Sequence, residues 1–223
     1  MRARGRVREA RRRGANALAI AVLAAATAGF ATTPAGAAAR WLSLGVLGGS
    51  TQPPGKMADY QWDTRPQAAW GAQALFGSGP WAAGLRAWST ATTQDVGLAE
   101  PAAVHRTSLE LVGRRRLASW WGTELAAMAG GGLLRLSWDP NRVSVATPGG
   151  PIDVDLVPVH EWIGGGGLAL RRPFGSSFTA GLEVDHRFFA LDAAHREGAS
   201  IVESRQSFGE WSARLELAWL KGL

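Results

Sequence analysis

An all-β fold, an eight-stranded antiparallel up-and-down barrel that crosses a membrane behind a cleaved leader, is the architecture that the 223-residue sequence predicts. Three observations carry that expectation. Segments of about ten residues with period-2 alternation recur from Arg40 to the C-terminus. The connections between them alternate between tight and long, and no segment sustains a 3.6-residue period. Cysteine is absent, which excludes a disulfide framework, a thiolate zinc site and a cysteine nucleophile.

The leader comes first. Arg2, Arg4, Arg6, Arg8, Arg11, Arg12 and Arg13 precede an apolar, alanine-rich run over 17–31 and then small residues around Thr32, Thr33 and Pro34. That order reads as a signal peptide over 1–37, with cleavage near Ala37 or Ala39 and a barrel over 38–223. A retained helical anchor fits less well, because Gly29 and Pro34 break the helix where an anchor would continue. The formal net charge is +6, and the first thirteen residues carry all of it, since the remainder holds 17 bases and 17 acids. A nucleic-acid partner is therefore not expected for the exported chain.

Eight strands follow, over approximately 40–49, 66–76, 80–91, 104–113, 119–137, 158–171, 177–189 and 207–220. The last is the clearest: Trp211, Ala213, Leu215, Leu217 and Trp219 alternate with Glu210, Ser212, Arg214, Glu216 and Ala218. Tight turns are expected at Gly77-Ser78-Gly79, at Arg114-Arg115-Arg116 and at Pro173-Phe174-Gly175-Ser176. Apolar faces that are about half alanine are too thin for a soluble core at native packing density, but they suit a wall against lipid. Eight strands leave an interior just wide enough for side chains to fill.

That interior is expected to hold a lumen ion-pair network of Arg86, Arg106, Glu110, Glu124, Glu161, Glu183, Asp185, Arg187, Glu210, Arg214 and Glu216. Aromatic belts are expected at both interfaces. With the N-terminus inside, Trp41, Phe76, Trp81, Trp120, Trp121, Phe178 and Trp219 mark the periplasmic one, and Trp88, Trp138, Trp162, Phe188, Phe189 and Phe208 the outer one. Turn regions would collect bases (Arg114, Arg115, Arg116, Arg171, Arg172, Lys221), and long loops acids (Asp59, Asp63, Asp95, Glu100, Asp153, Asp155, Glu203). Gly130-Gly131-Gly132 reads as a bulge at which the outward parity of the fifth strand flips to Leu134 and Leu136. Gly164 to Gly167 reads as a site of close approach.

These features together resemble the small eight-stranded outer-membrane barrels of Gram-negative bacteria, such as the transmembrane domain of outer membrane protein A and its single-domain relatives. The resemblance is architectural and covers 40–223. It implies an outer-membrane location, outer-membrane lipids around the wall, and the barrel assembly machinery as a partner that reads a terminal aromatic. Leu215, Leu217 and Trp219 match that signal, with Leu220 to Leu223 overrunning it.

The function expected is structural or interactive: envelope integrity, or recognition of an extracellular ligand or protein by the loops over 51–65, 92–103, 139–156 and 191–206. No catalytic residue, metal site or cofactor is expected. The alternatives are a lipid-modifying enzyme of the lipid A deacylase type and a narrow channel for small hydrophobic molecules. The deacylase pattern needs serine two residues after a strand histidine, whereas His105, His160 and His186 are followed at that distance by Thr107, Trp162 and Phe188.

Overall fold

The computed structural model describes residues 40–223 apart from 98–99, 148 and 198–199, so the signal peptide expected over 1–37 lies outside the described residues. Eight strands close a barrel: β1 (Arg40–Gln52), β2 (Gln67–Ser78), β3 (Trp81–Gln94), β4 (Ala102–Trp120), β5 (Thr123–Asp139), β8 (Val159–Phe174), β9 (Phe178–Glu197) and β10 (Ser200–Gly222). Every neighbour in the barrel is antiparallel and sequential, and β1 pairs with β10 to close it. The remaining strands, β6 (Arg142–Thr147) and β7 (Gly150–Asp155), form a separate hairpin in the connection from β5 to β8.

The hydrogen-bond register fixes the shape. A path that leaves β1 at Leu42 runs through Phe76, Ala83, Gly113, Ala129, Gly166, His186 and Trp211 and returns to β1 at Gln52. A stagger of ten residues over eight strands tilts them by about 40° to the barrel axis, within the usual range for closed sheets.

The tight connections come out shorter than the sequence reading placed them. Gly79 and Pro80 alone join β2 to β3, with Gly79 at φ 58° where a tight hairpin needs a positive value. Trp121 and Gly122, at φ 49° and 74°, join β4 to β5. The Arg114-Arg115-Arg116 run is therefore strand, not turn, and Pro173-Phe174 belongs to β8. An arginine run carries no turn chemistry of its own, and the real turn is the one that contains glycine.

The expected bulge at Gly130-Gly131-Gly132 is also corrected. Register runs unbroken through those residues, and the irregularity in this pair falls between Arg116 and Ala118 instead. Parity does not flip, so Leu134 and Leu136 point inward and are fully buried while Leu133 faces out. The two glycine runs lie side by side, Gly130 opposite Gly165 and Gly131 opposite Gly164. A methyl group at Gly165 would fall against the carbonyl oxygen of His186 and 2.8 Å from Arg187 Cα, so the sheet packs backbone to backbone there.

Candidate functional site

The lumen is divided along its length into a charged half and an apolar half. Toward the tight turns the buried side chains are six arginines (Arg86, Arg106, Arg114, Arg171, Arg187, Arg214) and five carboxylates (Glu110, Glu183, Asp185, Glu210, Glu216) among the described residues. Glu183 is the hub on one side: Arg86 donates to it at 2.6 Å, and Arg114 donates to its other oxygen. Glu216 is the second hub. It takes Gln73 at 2.7 Å, Arg171 at 3.1 Å and Arg114 at 3.4 Å. Gln73 in turn accepts from Arg86 at 2.9 Å, so β1's neighbours on both sides are tied through one amide.

Asp185 bridges the next layer, paired with Arg214 and, at 3.3 Å, with Arg187. Arg187 also reaches Glu110 at 3.2 Å and lies 3.9 Å from the Trp88 ring centroid, while the Trp88 indole donates to Glu110. This triangle satisfies the indole, stacks the guanidinium on a π face and neutralises the acid at once. Arg106 pairs with Glu210 at 2.5 Å and sits 5.2 Å from the Phe189 centroid, on the boundary with the apolar half. Buried ions of this kind are tolerable only because each has an opposite charge and hydrogen bonds within reach.

Beyond Arg106 the interior becomes an ordinary hydrophobic core. Trp62, Trp88, Val104, Leu134, Leu136, Ile163, Phe189, Leu191 and Phe208 form one buried cluster with Met57, which is 1% exposed. Met57 belongs to a 3-10 helix (Gly55–Tyr60) in the β1–β2 connection, which turns its one buried side chain down into the barrel mouth. Tyr60 meets Phe208 edge-on at 5.8 Å, and Lys56 donates to Gln206 at 2.7 Å, so the cap is pinned to β10. A cavity in the charged half, lined by Arg86, Glu110, Asp185 and Arg187, measures about 10 Å³, at or below the space of one water.

Of the eleven residues expected in the lumen network, nine are buried in these clusters. Glu124 is not: it is half exposed at the turn end of β5 and pairs with Arg116 at 3.0 Å. Glu161 lies at the opposite mouth, where it pairs with Arg205 at 2.5 Å. Two buried members, Arg114 and Arg171, stand where the sequence leads one to expect turns. Their parity, shared with Glu110 and with Gly165 and Gly167, is the signal that places them inside.

The belt residues need similar sorting. Phe76, Trp81, Trp120, Trp121, Phe178 and Trp219 stand at the turn end on the outside or beyond the sheet, but Trp41 has inward parity and packs over Gly77 at the lumen mouth. At the loop end Trp162 and Phe188 face outward, 60% and 57% exposed. Trp88, Phe189 and Phe208 are buried lumen residues, and half-buried Trp138 packs on the same cluster and donates to Gln94 at 2.9 Å. Their places on the outside are filled by Trp70 and Trp211, 69% and 58% exposed.

The outer wall is apolar. Leu44, Val46, Leu85, Leu109, Leu111, Leu168, Leu215 and Leu217 are each exposed by 42% or more, and a shallow concavity of about 560 Å³ runs over the alanines of β2 and β3. The chain is an eight-stranded antiparallel barrel with an apolar outer wall and, in the turn half of its lumen, buried charge. That is the architecture of the small outer-membrane barrels it resembles. No protein-family model matches the sequence, and no curated protein matches it. Among solved structures it is similar to Neisserial surface protein A (10% identity, 79% of this chain and 95% of that one, TM-score 0.42). It is similar also to the attachment invasion locus protein Ail of Yersinia pestis (12%, 81% and 98%, 0.38) and to OprG of Pseudomonas aeruginosa (7%, 83% and 97%, 0.42).

Proposed function

We propose that this protein is exported to the outer membrane of a Gram-negative cell and works there as a sealed barrel, in envelope integrity or in loop-mediated recognition, without turnover. The observation that carries this reading is the pairing of an apolar outer wall with a filled lumen: paired charges are buried through the turn half, and an apolar cluster that includes Met57 occupies the loop half. A conduit needs a continuous wet path, and the buried ion pairs and the apolar cluster stand across the lumen in its place. The strands β9 and β10, at 20 and 23 residues, exceed the ~9–11 that a tilted strand needs to span hydrocarbon, so they carry the wall well beyond the membrane as a platform. The expected loops hold ten acids and five bases, an anionic surface.

Against turnover, His105 and His160 face outward with Thr107 and Trp162 two residues on, and His186 is held between the rings of Phe188 and Trp211 at centroid distances of 4.3 and 4.6 Å. The test is reconstitution of the full chain in planar bilayers beside heat-modifiable migration on gels. The expected result is a detergent-dependent, heat-shifted band with no stable conductance. A water-soluble monomer would overturn the membrane reading, and a large steady conductance would overturn the sealed one. A changed acyl pattern of lipid A on expression would overturn the absence of turnover.

A further inference from the structure

Arginines inside this barrel are paired, and so are Arg65, Arg142 and Arg205 in the loops. The outward cations differ: Arg40, Arg115, Arg135, Arg172 and Lys221 are exposed and have no ion pair among the described residues. Four of them stand at the turn end. Arg135 stands alone at the loop end, and its neighbours are unlike those of any other.

Arg135 of β5 is directly opposite Thr107 of β4 on one side and His160 of β8 on the other. Directly opposite residues on one face lie about 5 Å apart, so the three polar groups form one row about 10 Å wide. His105, two residues beyond Thr107, extends the row upward, and all four side chains are exposed. The next row down the same three strands is wholly apolar: Leu109, Leu133 and Trp162, exposed by 55%, 51% and 60% and again opposite one another. Polarity therefore switches between two adjacent rows.

Depth gives the switch a meaning. From Arg135 down to Leu125 the outward residues of β5 are Leu133, Gly131, Ala129 and Ala127, a run of ten residues without an outward charge. At ~3.3 Å per residue and a tilt of about 40° that is roughly 25 Å, the height of the apolar band on an outer-membrane barrel. Arg135 thus lies in the headgroup plane at the loop end. A guanidinium fork with imidazole and hydroxyl donors beside it matches an anion that accepts from several directions, which a phosphate does. The carboxylate further up this face, Asp139, is four residues away along β5.

We infer that Thr107, Arg135, His160 and His105 hold the phosphate of an outer-leaflet glycolipid whose acyl chains lie on Leu109, Leu133 and Trp162. The inference rests on the outer-membrane reading above. A free anion would need only the upper row, whereas the apolar row beneath it calls for a lipid.

The test uses the full-length protein in micelles doped with diphosphorylated lipid A, with the bound lipid read by native mass spectrometry. The double variant Arg135→Gln, His160→Gln should lose about tenfold in bound lipid, as expected for the loss of charge-assisted contacts. Arg172→Gln with Lys221→Gln, at the other end of the wall, should lose none, and Arg135→Lys should retain part. Heat-modifiable migration shows that each variant is folded, and these exposed positions leave the lumen untouched. Equal retention of dephosphorylated lipid A would overturn the phosphate assignment. Displacement by inorganic phosphate at the same concentration would overturn the lipid source. Failure of the wild type to enter micelles at all would instead sink the membrane reading on which this one depends.

Discussion

Glu183→Gln probes the lumen network at its hub. The carboxylate is fully buried, with Arg86 at 2.6 Å on one oxygen and Arg114 on the other. The amide keeps the volume but removes the charge, leaving six buried arginines to four carboxylates. Arg86 retains Gln73 at 2.9 Å and Asp185 at 3.6 Å, and Arg114 retains only Glu216 at 3.4 Å. Breaking one partner of a buried pair costs about 3–5 kcal/mol, because the cost is that of the stranded ion, and Arg86's second contacts put the expectation near 3. The assay is reversible urea unfolding in lipid vesicles, followed by tryptophan fluorescence. Adding Arg114→Met should restore at least half of the loss, since it removes the cation that Glu183→Gln strands. A cost below about 0.5 kcal/mol, or a double variant less stable than the single by the full Arg114→Met cost, would refute the claim that the lumen is dry and its charges coupled.

Three other outcomes follow from the same geometry. Leu134→Ala should cost about 2–5 kcal/mol in the same unfolding assay while Leu133→Ala, its neighbour on the lipid face, costs far less, because only Leu134 leaves a void in a packed core. Gly165→Ala should destabilise by about 1–3 kcal/mol or more, since the methyl meets backbone of β9 rather than a movable side chain, and a thermal or urea midpoint measures it. In the β1–β2 connection Arg65 hydrogen-bonds Asp63 at 2.7 Å and holds its carboxyl below the usual value of 3.8. A depressed carboxyl stabilises the folded loop above its unfolded value and loses that contribution as pH falls through the folded one, so Arg65→Ala should raise the Asp63 midpoint in an NMR titration.

Strand parity was legible in the sequence almost throughout, because one face had to be apolar and a slip by one residue would exchange the faces. What parity could not say was where the lumen changes character. Trp88 shares its face with Gly84 and Arg86, so its burial was written in the alternation, yet an aromatic near a strand end also matches a belt, and depth alone does not choose. Leu134 and Leu136 depart from the sequence expectation for the opposite reason. An inward leucine contradicts a wholly polar lumen, and the contradiction vanishes only once the upper interior is known to be a hydrophobic core. That core needs Met57 and Trp62 from the β1–β2 connection, and nothing local in Gly55-Lys56-Met57 announces a side chain reaching residues on β9 and β10. The β6–β7 hairpin is not legible in the sequence because Arg142-Val143-Ser144-Val145 is too short an alternation to outweigh its Pro and Gly surroundings.

The stopper at the loop end lies in the first connection of the barrel, whereas the side chains it rests on include Phe208 of the final strand, and Lys56 is anchored to Gln206 nearby. Until β10 has docked against β1, Met57 has only part of its socket and its burial gains little. Seating of that one methionine therefore reports that the circle has been completed, so a partly assembled chain presents its first loop open to the outside.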